Sequence, residues 1–169
     1  AATYALPEFQ TSHGNLMANP GCYATAAILA AAPLVRRKWL AGIPIFDGKS
    51  GLSGAGKKLS DTSHFVAISE NMQTYKLNQH QHIPEIVQQF QQWDPELTAI
   101  QFSTSLIPVN RGIMMTLYVP VAPERTAEDI YQRYQEDYQE QPFIRLQPLG
   151  KLPELRQVTG TNFCDIGLV

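Results

Sequence analysis

Cysteine is scarce in this sequence. Of 169 residues only Cys22 and Cys164 are cysteines, and they lie near opposite ends of the chain. A small secreted scaffold would carry many more, so two distant thiols point to a reducing, cytoplasmic setting. Long hydrophobic runs are missing too. The longest, Ala24 to Val35, is too short to span a bilayer and contains Pro33. The amino end has no basic segment ahead of an apolar one, as a secretory signal would. Neither sign of charge dominates, with a formal net charge of −2 and a pI near 6.1. That balance gives no electrostatic reason to expect nucleic acid or an anionic membrane surface.

Two nucleotide-binding signatures also fail. No G-x-G-x-x-G opens a helix, so these residues encode no dinucleotide-binding fold. Residues 51 to 57 spell G-x-x-x-x-G-K, but Lys58 stands where a magnesium-binding Ser or Thr is required. That leaves a flexible turn, or a loop whose amides approach a phosphate without P-loop chemistry.

At 44% hydrophobic content the chain can bury one sizeable core. The pattern predicts irregular chain over residues 1 to 19, with Pro7, Gly14 and Asn15 as breakers, then a helix from Tyr23 to Lys38 that Pro33 ends or bends. A short strand follows in "GIPIFDGKS", running into a glycine loop. "HFVAISENMQTYKLNQH" holds strand-like pieces without clean alternation. "IPEIVQQFQQW" is a second helix, with Pro84 in its first turn and Glu85 at its positive end. Strands are expected in "LTAIQFSTSLIPV" and "RGIMMTLYVPV", joined through "NRG" as a hairpin or a crossover. A helix capped by Thr126 comes next, and "PFIRLQP" and "RQVTGTNFCDIGLV" close as strands. The class is α+β with a mixed, largely antiparallel sheet and helices packed on one face.

Chemistry concentrates at "NPGCYATAAILAAAPL". A thiol at a helix entrance faces unpaired N–H groups and the positive end of the helix dipole, which favour the thiolate. The same amides can hold an oxyanion. The plain alternative for Cys22 is a small buried hydrophobe. In "HQHIPEI", His80 and His82 share a face if the segment is extended, and His82 precedes a helix start, which favours its neutral form. Two structural histidines are the bland reading. A metal pair would need two further ligands from Cys22, His64, Cys164 or carboxylates, and no spacing supports them. Arg111, between two apolar strands, is a solvated turn residue or a fork for a substrate carboxylate.

Taken together, "ANPGCYATAAILAAAPL", "GKSGLSGAGKK", "HQHIPEI", "IPVNRGIMMTLYV" and "GTNFCDIG" resemble the N-acetyl-γ-glutamyl-phosphate reductases of arginine biosynthesis. The matches run in order over nearly the whole chain. Wider relatives are aspartate-semialdehyde dehydrogenase and glyceraldehyde-3-phosphate dehydrogenase. The resemblance implies that residues 1–169 form a catalytic and dimerisation domain, like the carboxyl-terminal domain of glyceraldehyde-3-phosphate dehydrogenase. A Rossmann domain that binds most of NADP(H) is then expected outside this chain, and both ends of the sequence look cut from something longer. The resemblance also implies Cys22 as nucleophile, and His80 and His82 as a pair containing the acid/base; the helix entrance after His82 favours it for that role. Arg111 and Asn19 fall on the substrate side, and Ser53, Gly54, Ala55 and Gly56 near the nicotinamide. One departure is Ala24, where the family commonly carries proline. A small acyl-phosphate substrate and a homo-oligomer complete the expectation. Three other readings stand beside it: an aspartate-semialdehyde dehydrogenase-type reductase, a cysteine hydrolase using Cys22 and a histidine, and a non-catalytic dimerisation fragment.

Overall fold

Two short strands, β1 (Thr3–Tyr4) and β2 (Met17–Ala18), pair in parallel ahead of the first helix. A computed structural model describes residues 2–10, 15–58 and 60–169. The amino-terminal stretch is thus less irregular than its breakers suggest, although Gly14 lies outside the described residues.

Helix α1 (Cys22–Val35) is the centre of the core, with ten of its fourteen residues buried. Its alanines leave the helix slender enough to lie close to its neighbours on several sides. Pro33 sits inside α1 and the helix continues to Val35. Proline has no N–H, so the Leu29 carbonyl loses the donor that would normally reach it from four residues on. The Tyr138 hydroxyl takes that place, donating to Leu29 O at 2.5 Å, while Tyr134 donates to the neighbouring Ala30 O. Arg37 then fastens the end of α1 to Asp137 through two hydrogen bonds of 2.8 and 2.7 Å.

Strand β3 (Ile45–Ser50) runs into a 3-10 turn at Leu52–Ala55. After the single-turn helix α2 (Phe65–Ile68) come β4 (Gln73–Tyr75) and helix α3 (Ile83–Gln91). Strands β5 (Gln101–Leu106) and β6 (Ile113–Tyr118) then flank β3, giving the order β4-β5-β3-β6. Pairing is antiparallel at both outer pairs and parallel between β3 and β5. The "NRG" connection is therefore a crossover and not a hairpin, because β5 and β6 each pair with β3. Helix α4 (Ala127–Tyr138) carries the expected Thr126 cap, made reciprocal by Asp129. Strands β7 (Ile144–Leu146) and β8 (Cys164–Ile166) pair in parallel. Between them Leu155–Val158 forms a short helix, α5, where a strand was expected from "RQV".

One face of the main sheet presents Phe46, Gly48 and Ser50 of β3 beside Phe102 and Met115 to the helices. Phe90 of α3 stacks on Phe46. Gly48 lies beneath Tyr23: a Cβ there would come within 2.5 Å of the tyrosine ring. The opposite face carries Ile45, Asp47, Lys49, Met114, Thr116 and Tyr118, and Ile45 and Tyr118 are 44% and 57% exposed. Among the described residues no helix is long and apolar enough to cross a membrane.

The proline–tyrosine pairing predicts an unusual mutational pattern. Tyr138→Phe should cost about 1–3 kcal/mol, the penalty of an unsatisfied buried acceptor. In a Pro33→Ala background, where the helix supplies its own donor, the same change should cost clearly less. Urea unfolding of the four proteins measures the coupling, and equal costs in both backgrounds would refute the assignment.

Candidate active site

Pro20 and Gly21 bring extended backbone to the start of α1, and Cys22 is its first helical residue. Gly21 caps the helix with φ −65° and ψ 165° and offers no side chain to the first-turn amides. Those amides stay available, and the Cys22 side chain is exposed beside them. The site therefore has the helix-entrance geometry that the sequence pattern suggests.

Gly21 is also a matter of space. A Cβ at that position would lie 2.1 Å from His82 Cε1 and 2.6 Å from its Nε2. The imidazole is thus packed directly over the residue before the thiol, and any side chain at Gly21 would expel it.

Glu85 fixes that imidazole. Its Oε2 lies 2.5 Å from His82 Nδ1, while its Oε1 accepts from the Gly21 N–H at 2.8 Å and from the Tyr4 hydroxyl at 2.9 Å. Burial alone would raise the Glu85 pKa, but the bonds from Gly21, Tyr4 and His82 outweigh it and hold the carboxyl below its ordinary value. The carboxylate is ionised at neutral pH, so it accepts from His82 Nδ1 and takes no part in what Nε2 does. Sequence reasoning treats Glu85 as a charge at a helix end, one turn from His82, and not as the anchor of its ring. Its position three residues after His82 on the first turn of α3 was the available signal. Tyr4 gave none.

His80 has a different environment. The segment from His80 to His82 is a turn and not extended chain, and Ile83 N–H bonds back to His80 O at 3.0 Å. The turn brings the two rings to a centroid separation of 4.9 Å. His80 is only 7% exposed and packs against Tyr23, Tyr75 and Phe102. Burial, then the charges of His82 and Lys76, push its pKa down. Its Nδ1 accepts the His82 backbone N–H at 3.2 Å, so it braces its neighbour from beneath.

A cavity of about 1090 Å³ brings Cys22 together with Ser50, Gly51, Ser53 and Gly54. Ala55 and Gly56 are exposed and lie outside its lining. The loop is built onto the turn before β6: Gly51, Leu52 and Ser53 N–H groups bond to the carbonyls of Gly112, Val109 and Asn110 at 2.9, 2.9 and 3.0 Å. A Cβ on Gly51 would meet Asn110 and Arg111 backbone at 2.9 Å, so only glycine allows this approach. Arg111 and Asn19 are both exposed, and Arg111 lines a separate, smaller cavity of about 550 Å³. Among the described residues no group of three or more His, Cys, Asp or Glu side chains is arranged to hold a metal ion.

The helix-entrance Cys22 and the glycine loop thus share one cavity, while the His82 ring, held by Glu85, packs on Gly21 next in sequence to the thiol and does not line that cavity. The family model described as semialdehyde dehydrogenase, dimerisation domain, matches residues 22–169. The chain belongs to this family.

Within it, the chain is 55% identical over 167 residues to the N-acetyl-γ-glutamyl-phosphate reductase of Streptococcus mutans, covering 98% of this chain and 48% of that protein. It is 49% identical over 169 residues to the enzyme of the same name from Listeria monocytogenes, with 99% and 49% covered. The chain therefore spans about half the length of the curated relatives it matches. Among solved structures, a probable aspartate-semialdehyde dehydrogenase from Pseudomonas aeruginosa superposes with a TM-score of 0.70 at 13% identity, covering 98% of this chain and 57% of that one. Aspartate-semialdehyde dehydrogenase with NADP from Candida albicans gives 0.59 at 13% identity, covering 92% and 48%. At such identities these likenesses speak for the semialdehyde dehydrogenase fold alone.

The two cysteines should differ sharply in reactivity. Burial, then the charges of Asp165 and Glu8, push the Cys164 thiol up to about 11. Brief iodoacetamide treatment at neutral pH should label exposed Cys22 first, as read by peptide mass mapping. Equal labelling, or Cys164 ahead of Cys22, would count against Cys22 as the reactive thiol. Glu85 makes a second prediction. With its folded pKa below the ordinary value of 4.5, its ionised form stabilises the fold above that value, and the stabilisation disappears as pH falls through the folded pKa. Glu85→Gln should be less stable than wild type at pH 7, with the gap closing in denaturation curves taken below about pH 4.5.

Proposed function

We propose that this chain is the catalytic and dimerisation half of an NADPH-dependent N-acetyl-γ-glutamyl-phosphate reductase, which converts the acyl phosphate to the semialdehyde. The observation that carries the reading is the His82 ring held by Glu85 over Gly21, immediately before the exposed Cys22. Two relatives of that name near half identity supply the substrate.

The reaction follows from the positions of these groups. Cys22 thiolate attacks the acyl carbonyl; a carbon–sulfur bond forms, the carbon–oxygen bond to phosphate breaks, and phosphate leaves with the electron pair. NADPH, when bound, supplies the hydride that reduces the resulting thioester. Ser53 and Gly54 line the same cavity as Cys22, and a Cβ on Gly54 would lie 2.9 Å from Ser50 Oγ and push that hydroxyl aside. A loop of that kind admits a flat ring close to its backbone, so these residues suit the nicotinamide side of the cofactor. The first-turn amides of α1 hold the oxyanion of the tetrahedral adduct. His82 Nε2 takes the proton of the Cys22 thiol, gives it to that oxygen and takes it back as the adduct collapses to aldehyde and thiolate. His80 keeps the His82 backbone in place. Bulk cofactor binding belongs to a nucleotide domain outside this chain.

The bare sheet face completes the reading. On the sheet face opposite Phe46, exposed Ile45 and Tyr118 flank half-buried Met114 and the Asp47–Lys49 ion pair. We assign that face to contact with a second copy, in keeping with the dimerisation role in the family's description.

Single-turnover kinetics of the full-length enzyme test the roles. Cys22→Ser should abolish reduction. His82→Asn should slow the chemical step by about 10²–10⁴, the usual worth of a positioned acid/base, with little change in substrate binding. His80→Asn should slow it far less and mainly lower stability. If the two histidine variants show the reverse, the roles exchange. Turnover without nicotinamide would make the protein a hydrolase instead.

A further inference from the structure

Tyr4 lies 81 positions from Glu85 in the sequence, yet its hydroxyl donates to Glu85 Oε1 at 2.9 Å. The strand that carries it has a second link to the site. Strand β1 pairs with β2 in parallel, and Thr3 N–H reaches Leu16 O at 2.9 Å while Ala5 N–H reaches Ala18 O at 3.3 Å. From Ala18 the chain runs through Asn19, Pro20 and Gly21 directly to Cys22. Strand β1 therefore holds the thiol's segment by its backbone and the histidine's segment through the Tyr4 side chain.

The two oxygens of Glu85 divide the work. Oε2 meets His82 Nδ1 at 2.5 Å, while Oε1 takes the Gly21 N–H at 2.8 Å beside the Tyr4 hydroxyl. A single donor on Oε1 would leave a pivot about which the carboxylate could still turn. Two donors from different segments fix its plane, and with it the direction in which Oε2 meets the ring. Tyr4 suits that task because it stays protonated. Burial, then its bond to Glu85, push its pKa above the ordinary value.

We propose that Tyr4 is a positioning residue for proton transfer: its hydroxyl aligns Glu85 so that the His82 ring keeps a fixed place relative to Cys22. The inference rests on the reductase reading above. Tyr4 itself touches no reacting atom and acts through Glu85 and His82. Alignment of Nε2 matters while a proton moves, and not while substrate is being bound. Loss of the hydroxyl therefore appears in the rate of the chemical step and not in KM.

A double-mutant cycle of Tyr4→Phe and His82→Asn in the full-length enzyme tests this, read by NADPH oxidation with the acyl phosphate in single-turnover and steady-state kinetics. Tyr4→Phe keeps the ring and removes only the hydroxyl. It should slow the chemical step by roughly five- to fiftyfold, part of the worth of a hydrogen bond to a charged acceptor, with KM within about twofold of wild type. In the His82→Asn background no imidazole remains to be aligned, so the same change should alter the rate by less than about twofold. Thr126→Ala removes a helix cap outside the site and controls for lost stability; it should leave the rate unchanged. Equal slowing by Tyr4→Phe in both backgrounds, matching slowing by Thr126→Ala, a Tyr4→Phe protein that does not fold, or no slowing at all overturns the positioning role. In each of these cases wild-type turnover leaves the reductase reading intact. If the wild-type enzyme oxidises no NADPH with the acyl phosphate, the reductase reading fails and the role of Tyr4 falls with it.

Discussion

A single carboxylate holds the site together. Glu85 takes donors from three separate segments: Tyr4 on the first strand, Gly21 at the entrance to α1, and His82 at the entrance to α3. Partly buried carboxylates are costly to leave unsatisfied, so each missing donor would weaken the arrangement out of proportion to one hydrogen bond. The reward is geometric. The same side chain sets the tautomer of His82, seats its ring on Gly21, and ties the backbone just ahead of Cys22. Helices α1 and α3 are thereby joined at the ends that carry the chemistry, while Phe46 and Phe90 join α3 to the sheet behind.

Close approach is the second constraint, and glycine meets it three times around the thiol. Gly21 admits the His82 ring, Gly48 admits Tyr23, and Gly51 admits the Asn110–Arg111 backbone. Each contact would be closed by one added carbon. The loop bearing Ser53 and Gly54 and the turn bearing Arg111 are consequently one body, stitched by three backbone hydrogen bonds. The parts assigned to cofactor and to substrate are held at a fixed separation without any bond between their side chains.

Much of this was legible in the residues. Helix propensity and caps located α1, α3 and α4, because those signals are local and Thr126 and Asp129 cap reciprocally in any surroundings. The order Pro-Gly-Cys ahead of alanines placed the thiol at a helix entrance. What could not be read was set by distant partners. "NRG" is equally compatible with a hairpin or a crossover until β3 is known to insert between its two flanking strands. The His80–His82 turn depends on a ring nitrogen accepting a neighbouring amide, which no periodicity reveals. Tyr138 answers a carbonyl orphaned by Pro33 in another helix, so its role has no mark in its own segment. The segment "RQV" suggests a strand, whereas the Glu154–Gln157 cap turns it into α5.

The position of β3 in the sheet also dictates when the site can exist. Ile45–Ser50 has no partner near it in sequence; its ladders are completed by Gln101–Leu106 on one side and Ile113–Tyr118 on the other. Closing those long loops costs entropy before any contact repays it, so the sheet must form late and folding should be slow for the chain's size. Until then α1, most of whose residues end up buried, lacks the sheet among its packing partners. The cysteine at its tip therefore spends the early life of each new chain on a helix without its sheet, and shares a cavity with the glycine loop only once the strand ending at Tyr118 has arrived.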